Sequence, residues 1–166
     1  MPITNAAFSQ TEYDRRIAKT RAAMHQAGIE LLFVTDPSNQ AWLTGYDGWS
    51  FYVHQGVLLT LEGEPVWWGR AMDAVGATKT CYMEISDIIG YSDDYVMSTE
   101  RHAMQHLAQV LRDRGWAELS LGVEMENYYY SAKAHAVLVA ELPQAQMLDA
   151  TALVNWQRLV KSGDEI

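Results

Sequence analysis

Short apolar runs alternate with helical patterns along most of this chain, and that alternation constrains the fold more than any other feature. A strand–helix–strand rhythm is typical of a sheet whose connecting helices pack on its faces. One pair of runs, 56–60 and 65–69, is joined only by Leu-Glu-Gly-Glu, and this arrangement predicts a β-hairpin. We therefore predict an α/β fold with a mixed β-sheet flanked by helices.

Capping residues mark where several of the helices begin. Ser9 and Glu12 form a capping-box pattern that predicts the start of the first helix. Ser98 is predicted to cap a long amphipathic helix, and Ser131 is predicted to cap a later one. The predicted helices span 9–28, 39–43, 71–79, 98–115, 131–142 and 150–161, and the predicted strands span 29–34, 56–60, 65–69, 85–91, 119–123 and 145–148.

A length of 166 residues suggests one domain, to which we assign residues 1–166. The net charge of −9 argues against binding nucleic acid, because contact with phosphates needs a basic face. No apolar run approaches the ~20 residues of a membrane helix, and the first residues do not form a signal peptide. The single cysteine, Cys81, cannot form an internal disulfide and is predicted to be a small core residue. We therefore expect a cytoplasmic protein with no nucleic-acid or membrane partner.

The stretch 36–55 is the most aromatic part of the chain, and its Asp-Pro, Thr-Gly and Asp-Gly pairs favour a loop. Ordering many large rings in a loop costs conformational entropy, which binding to another molecule would offset. The alternative is that the rings cover one edge of the core. A binding surface here would draw on Tyr46, Asp47, Trp49, Phe51, Tyr52 and His54.

Two further pairs of side chains could form a metal-binding or acid–base site. His102 and His106 are four residues apart on the predicted long helix, a spacing that lets two imidazoles share a metal ion. No third ligand is evident nearby, and the alternative is a solvated helix face. Glu124 and Glu126 follow the 119–123 strand and could form an acid pair, or the strand could simply end in solvent. In both cases we favour the solvent-exposed alternative.

The motifs of self-contained active sites are missing from the sequence. It holds no G-x-G-x-x-G or Walker pattern for a nucleotide, and no G-x-S-x-G elbow for a nucleophilic serine. We therefore assign no catalytic residue, no metal ligand and no cofactor to this chain.

Six segments in order along the chain carry a resemblance to a known family. They are the opening helix 13–28, Asp36-Pro-Ser-Asn39, Trp42-Leu-Thr-Gly-Tyr46, Gly122-Val-Glu124, Asp149-Ala-Thr151 and Trp156-Gln-Arg-Leu-Val-Lys-Ser162. Together they resemble the N-terminal domain of the creatinase, prolidase and aminopeptidase P family. Within that family, the segments 45–52, 69–73, 95–101, 124–129 and 149–156 are most similar to the ectoine hydrolases.

The resemblance implies the non-catalytic N-terminal domain of a metal-dependent hydrolase of carbon–nitrogen bonds. In this family the divalent metal ions and the catalytic histidines lie in a C-terminal domain, into which the Lys-Ser-x-x-Glu-Ile pattern of residues 161–166 leads directly. We therefore expect the natural chain to continue past Ile166 and the isolated chain to be inactive. An Xaa-Pro dipeptidase or aminopeptidase is the alternative enzyme, and a stand-alone small-ligand binding or scaffolding domain is the alternative of another class.

In creatinase-like dimers, the N-terminal domain of one subunit closes over the active site of the other. The resemblance thus implies a homodimer in which residues of loop 46–55 contact a small-molecule substrate in trans. The creatinase loop contributes a phenylalanine and an arginine, which fall on Phe51 and Val53 when aligned without gaps from Thr44 and Gly45. Loss of the arginine argues against creatine, whose carboxylate would lose a charged partner. An aromatic loop suits an amidinium group better, as in ectoine, through cation–π contact.

Overall fold

A computed structural model describes residues 6–166, which form one six-stranded sheet with helices on both faces. The strands are β1 (Leu31–Val34), β2 (Gly56–Thr60), β3 (Val66–Arg70), β4 (Ile88–Tyr91), β5 (Leu121–Val123) and β6 (Met147–Asp149). The helices are α1 (Gln10–Gln26), α2 (Pro37–Thr44), α3 (Ala71–Thr80), α4 (Ala103–Asp113), α5 (Ala132–Glu141) and α6 (Leu153–Arg158). Within residues 6–166, none of these helices is both long and apolar enough to cross a membrane.

The sheet is mixed, as predicted, and its strands lie in the order β4-β3-β2-β1-β5-β6. β1, β5 and β6 run parallel to one another, and β3 and β4 are also parallel. β2 pairs antiparallel with both β1 and β3, so the predicted hairpin is present. The prediction of an α/β fold with a mixed sheet flanked by helices is confirmed.

The sheet separates two hydrophobic cores, because successive side chains of a strand point to opposite faces. Leu32 and Val34 of β1 join the core beneath α1, α2, α3 and α6. Leu31 and Phe33 join the core beneath α4 and α5. Both faces of β1 are therefore buried, as expected for a central strand of a sheet covered on both sides.

The predicted capping of α4 by Ser98 is wrong. The helix begins at Ala103 and is capped by His102, whose Nδ1 accepts a hydrogen bond from the amide of Met104. The side chain of Gln105 accepts a hydrogen bond from the amide of His102 and completes a capping box. The Ser98 hydroxyl accepts hydrogen bonds instead from the amides of Glu100 and Arg101. Residues 98–102 therefore form a separate turn before the helix.

The predicted start of α1 at Ser9 is confirmed, whereas the predicted bounds of the last helix shift. Ser9 caps α1, but the Glu12 carboxylate accepts hydrogen bonds from the guanidinium groups of Arg15 and Arg16, so only half of the predicted capping box is used. The last helix was predicted over 150–161 and spans only Leu153–Arg158. Asp149 holds Thr151 in a turn, and Ala152 has a left-handed backbone.

Candidate functional site

Residues 46–55, which we call the aromatic loop, connect α2 to β2 and contain no helix or strand. Asp36 caps the start of α2 by accepting from the amide of Asn39. Gly45 ends α2 with a φ of 82°, and a Cβ at this position would lie 2.7 Å from the Tyr13 hydroxyl and 2.8 Å from the carbonyl of Thr80. Glycine is therefore required where the aromatic loop leaves the helix.

The two ends of the aromatic loop are joined by a buried hydrogen bond. The Tyr46 hydroxyl donates to Oε1 of Gln55 at 3.1 Å, and both side chains are buried. The Tyr46 ring packs against the Trp67 ring with centroids 5.0 Å apart. Burial raises the pKa of Tyr46. Tyr46 is therefore an anchor of the loop in the core and does not reach its outer surface.

Three large rings of the aromatic loop lie exposed on its outer side. The exposed fractions are 59% for Trp49, 82% for Phe51 and 66% for Tyr52. Trp49 stands edge-to-face against Phe51 and against Tyr129, with ring centroids 5.9 and 6.4 Å apart. Adjacent exposed aromatic residues of this size are uncommon on a soluble surface and are typical of a contact site.

His54, at the end of the aromatic loop, has a partly buried ring that lies 5.1 Å from the ring of His102. Its main-chain carbonyl accepts a hydrogen bond from the Tyr91 hydroxyl at 2.6 Å. Burial lowers the pKa of both histidines, and within residues 6–166 neither ring has a carboxylate hydrogen-bond partner. Burial therefore favours the neutral form of both imidazoles.

The six residues predicted to form a binding surface do not share one pocket. Asp47 is exposed and borders a groove of about 670 Å³ together with Trp42, Arg158 and Glu165. Tyr52 and His54 border a separate, smaller cavity of about 170 Å³. Trp49 and Phe51 project from the surface and line neither cavity.

The two histidines considered as a metal pair have separate roles. His102 caps α4, and Nδ1 of His106 accepts from the indole of Trp68 at 3.0 Å. Over residues 6–166, no group of three or more His, Cys, Asp or Glu side chains is placed to hold a metal ion. Burial also raises the pKa of the Cys81 thiol to about 12, which makes it a poor nucleophile and fits its predicted place in the core.

Glu124 was expected to meet solvent at the end of β5, and this prediction is wrong. Its side chain is 3% exposed, and Oε2 accepts from the amides of Thr35 and Asp36, each at 2.7 Å. Burial raises the pKa of Glu124, and the hydrogen bonds from Asp36, Asn39 and Thr35 act in the opposite direction. Glu126 is exposed, so the two carboxylates do not form an acid pair.

Asn39 extends this buried contact to the last helix. Its Nδ2 donates to Glu124 at 2.6 Å and to Oδ1 of Asn155 at 2.9 Å, and its Oδ1 accepts from Arg158 at 2.8 Å. The start of α2, the end of β5 and helix α6 are thus joined through one amide. Local periodicity does not predict this network, because Asn39 lies 85 residues from Glu124 and 119 residues from Arg158.

A second network ties the end of the chain to the first helix. Arg16 is 1% exposed and pairs with Glu12 at 2.8 Å and with Glu165 at 3.1 Å. The Trp42 indole donates to Glu165, and the Ser162 hydroxyl donates to Glu12 at 3.0 Å. The final turn, Gly163–Glu165, is therefore held beside α1 and α2.

Comparison with known proteins identifies close relatives. Residues 16–160 match the model of the Creatinase/Prolidase N-terminal domain. The chain is 57% identical over 160 residues to the ectoine hydrolase of Halomonas elongata, covering 96% of this chain and 40% of that protein. It is 42% identical to an uncharacterized hydrolase/peptidase of Sinorhizobium fredii, covering 96% of this chain and 41% of that protein. The chain thus spans about 40% of the length of these curated relatives.

The fold also matches solved structures. An Xaa-Pro dipeptidase from Bacillus anthracis superposes with a TM-score of 0.71 at 16% identity, covering 92% of this chain and 38% of that one. At this identity the match supports a shared fold and no shared substrate.

Proposed function

The chain belongs to the creatinase/prolidase N-terminal domain family, and from that premise we propose that residues 1–166 are one non-catalytic domain of a hydrolase of carbon–nitrogen bonds. The resemblance stated from the sequence is confirmed by the family match. The identity of 57% to an ectoine hydrolase supports ectoine, or a related cyclic amidine, as the substrate of the whole protein. Its cellular site is proposed to be the cytoplasm, where a single unpaired cysteine such as Cys81 is common.

The proposal for the role of this domain is based on the exposed rings of the aromatic loop. In a homodimer, the loop would close over the active site of the partner subunit and place Trp49, Phe51 and Tyr52 against the substrate. An amidinium cation held over such a ring gains ~0.5–2 kcal/mol by cation–π contact. Closure also excludes water from the reacting groups.

The side chains of the described part of the chain do not fit a metal centre, and the divalent metal ions are proposed to lie in the remainder of the protein. His54 of the aromatic loop and His102 have rings 5.1 Å apart, but His102 Nδ1 is committed to capping α4. Residues 6–166 bring together no set of three candidate ligands. The part assigned to this chain is to bind and orient substrate and to exclude water.

Replacement of the exposed rings tests this role in the full-length protein. Trp49→Ala and Phe51→Ala should each lower turnover of ectoine about tenfold or more, with metal content and thermal stability unchanged. Met72→Ala and Ile85→Ala remove comparably exposed side chains elsewhere and serve as controls. Unchanged turnover in both loop variants would remove the aromatic loop from the mechanism.

Mixed dimers distinguish a loop that acts in trans from one that acts in cis. One subunit would carry Phe51→Ala, and the other would carry an intact loop with its metal-binding residues replaced. If the loop serves the partner, the mixed dimer regains activity, because one site then has both metal ions and an intact loop. Failure to regain activity in a verified mixed dimer would contradict the trans arrangement.

A peptidase that cleaves before proline is the second candidate. The fold match to an Xaa-Pro dipeptidase favours it, although at 16% identity that match extends only to the architecture. The much higher identity to an ectoine hydrolase is the reason to place it second.

A further inference from the structure

A cavity of about 170 Å³ lies between the end of the aromatic loop and the turn that leads into α4. Three tyrosines, Tyr52, Tyr91 and Tyr95, contribute to its wall, and we call it the tyrosine cavity. An apolar cavity of about 150 Å³ is large enough to hold benzene. The tyrosine cavity therefore has room for one small ring or a compact body of similar size.

The lining of the tyrosine cavity is unusual in its charge. None of its eleven lining residues, all within the described part of the chain, is acidic, although the whole chain has a net charge of −9. Arg101 is the cation among them, and Val53 contributes no charge. A ligand cation would meet no carboxylate in this lining, whereas a ligand anion would meet a guanidinium group.

Among the described residues, Arg101 pairs with Asp94, and its Cζ lies 5.9 Å from the centroid of the Tyr95 ring. Its Nη1 lies 3.4 Å from Oδ2 of Asp94, and the two side chains are 54% and 69% exposed. An ion pair that is so exposed contributes little, about 0–1 kcal/mol. A ligand carboxylate could therefore replace Asp94 as the partner and form the two parallel hydrogen bonds that guanidinium groups favour.

Two neutral donors lie beside Arg101. His102 Nδ1 accepts from the Met104 amide, so the neutral ring carries its proton on Nε2 and can donate there. The Ser98 hydroxyl oxygen accepts from the amides of Glu100 and Arg101, which leaves its own proton for an acceptor on a ligand. One cation and two hydrogen-bond donors thus border a pocket walled by tyrosine rings.

From this arrangement we propose that the tyrosine cavity binds a small carboxylate, with the anionic group at Arg101, Ser98 and His102 and the compact body among the tyrosine rings. Tyr52 and His54 belong to both the cavity and the aromatic loop, so the inference deepens the proposed function by naming where the carboxylate of the substrate binds. The identification of the ligand as the substrate rests on the proposed function, whereas the binding of a carboxylate in the cavity does not.

Benzoate and its neutral analogue benzamide test the site in the full-length protein. The metal ions are first removed with a chelator, so that they cannot bind the carboxylate themselves. Calorimetric titration should show benzoate binding, with benzamide at least about tenfold weaker. Arg101→Gln should weaken benzoate at least about tenfold and leave benzamide unchanged, since hydrogen bonds to charged groups are worth this much.

Arg112→Gln is the matched control, because Arg112 pairs with Glu141 and does not line the cavity. It should bind benzoate as the wild-type protein does. Ser98→Ala provides a second test if Arg101→Gln fails to fold, and it too should weaken benzoate. Equal affinity for the two probes, no binding of either, or benzoate binding that survives both cavity variants would overturn the inference. Binding is measured without turnover, so failure of the mixed-dimer experiment alone would count against the trans role and not against this site.

Discussion

Glu12 shows how one carboxylate can serve several partners at once. Only 5% of its side chain is exposed, and it accepts hydrogen bonds from Arg15, Arg16 and Ser162. The hydrogen bond from Arg15 is the main cause that lowers the pKa of Glu12 to about 2, against the opposing effect of burial. Ionised Glu12 therefore stabilises the folded state and loses that effect when it is protonated.

The pH dependence of stability tests this residue. The stabilisation is fully present above the pKa of an unfolded glutamate, about 4.5, and is lost as the pH falls toward 2. Glu12→Gln should lower the free energy of unfolding at pH 7 by at most about 3 kcal/mol, and the difference from wild type should shrink between pH 4.5 and 2. Urea unfolding across this range is the measurement, and a difference independent of pH would contradict the role of the charge.

Single residues also show which features of the structure the sequence alone does not predict. Cys81 was predicted to be a core residue from its type alone, and it is buried. Glu124 was predicted to be exposed on the same statistical ground, yet it is buried because the amides of Thr35 and Asp36 lie beside it. A residue type carries an average tendency to be buried, whereas a partner nearly ninety residues away becomes known only with the fold.

At the scale of elements, the Asn39 side chain connects α2 to α6 by hydrogen bonds. Its amide satisfies the buried Glu124 and accepts from Arg158. Asn39→Ala should lower the free energy of unfolding by about 2–3 kcal/mol, because it leaves a buried carboxylate with one partner fewer. Chemical denaturation measures the change.

Asn155→Ala is the appropriate comparison for Asn39→Ala. Asn155 is exposed and takes part only at the edge of the network, so its loss should cost about 1 kcal/mol or less. Equal destabilisation by the two variants would show that the link from Asn39 to Glu124 has no special importance.

Element types were easier to predict than element ends. The apolar pattern was enough to place the hairpin of β2 and β3 and the strand β1, because periodicity depends on residues within the element. The start of α4 was placed at Ser98, since serine is a common cap, whereas His102 and Gln105 form the actual capping box. Several residues near a helix start can serve as a cap, and contacts outside the helix select among them.

At the scale of the whole molecule, the alternation of strands and helices was sufficient to predict a mixed sheet covered on both faces. It was not sufficient to predict which aromatic residues of the loop face the core. Tyr46 is buried through Gln55 and Trp67, while Phe51 is exposed, although both lie in the same aromatic run. That distinction depends on the path of the loop, which periodicity does not describe.

Substrate preference is measured on the full-length protein. If the proposed function holds, the purified enzyme with its metal ions should hydrolyse ectoine with a kcat/KM at least about a hundredfold above that for Xaa-Pro dipeptides. The exposed rings of the loop favour a compact cation, and such a difference corresponds to ~3 kcal/mol of transition-state discrimination. Comparable or higher activity on the dipeptides would favour the peptidase alternative.

The pairing of Arg16 with Glu165 also has a consequence for biosynthesis. A chain made on the ribosome exposes α1 long before residue 165 is added, so of its two carboxylate partners Arg16 has at first only Glu12. The last contacts of the first helix can form only after the final turn has left the exit tunnel, and until then a cation destined for the interior lacks one of its two anions. The interior pairing of Arg16 is therefore completed only when Glu165 is available.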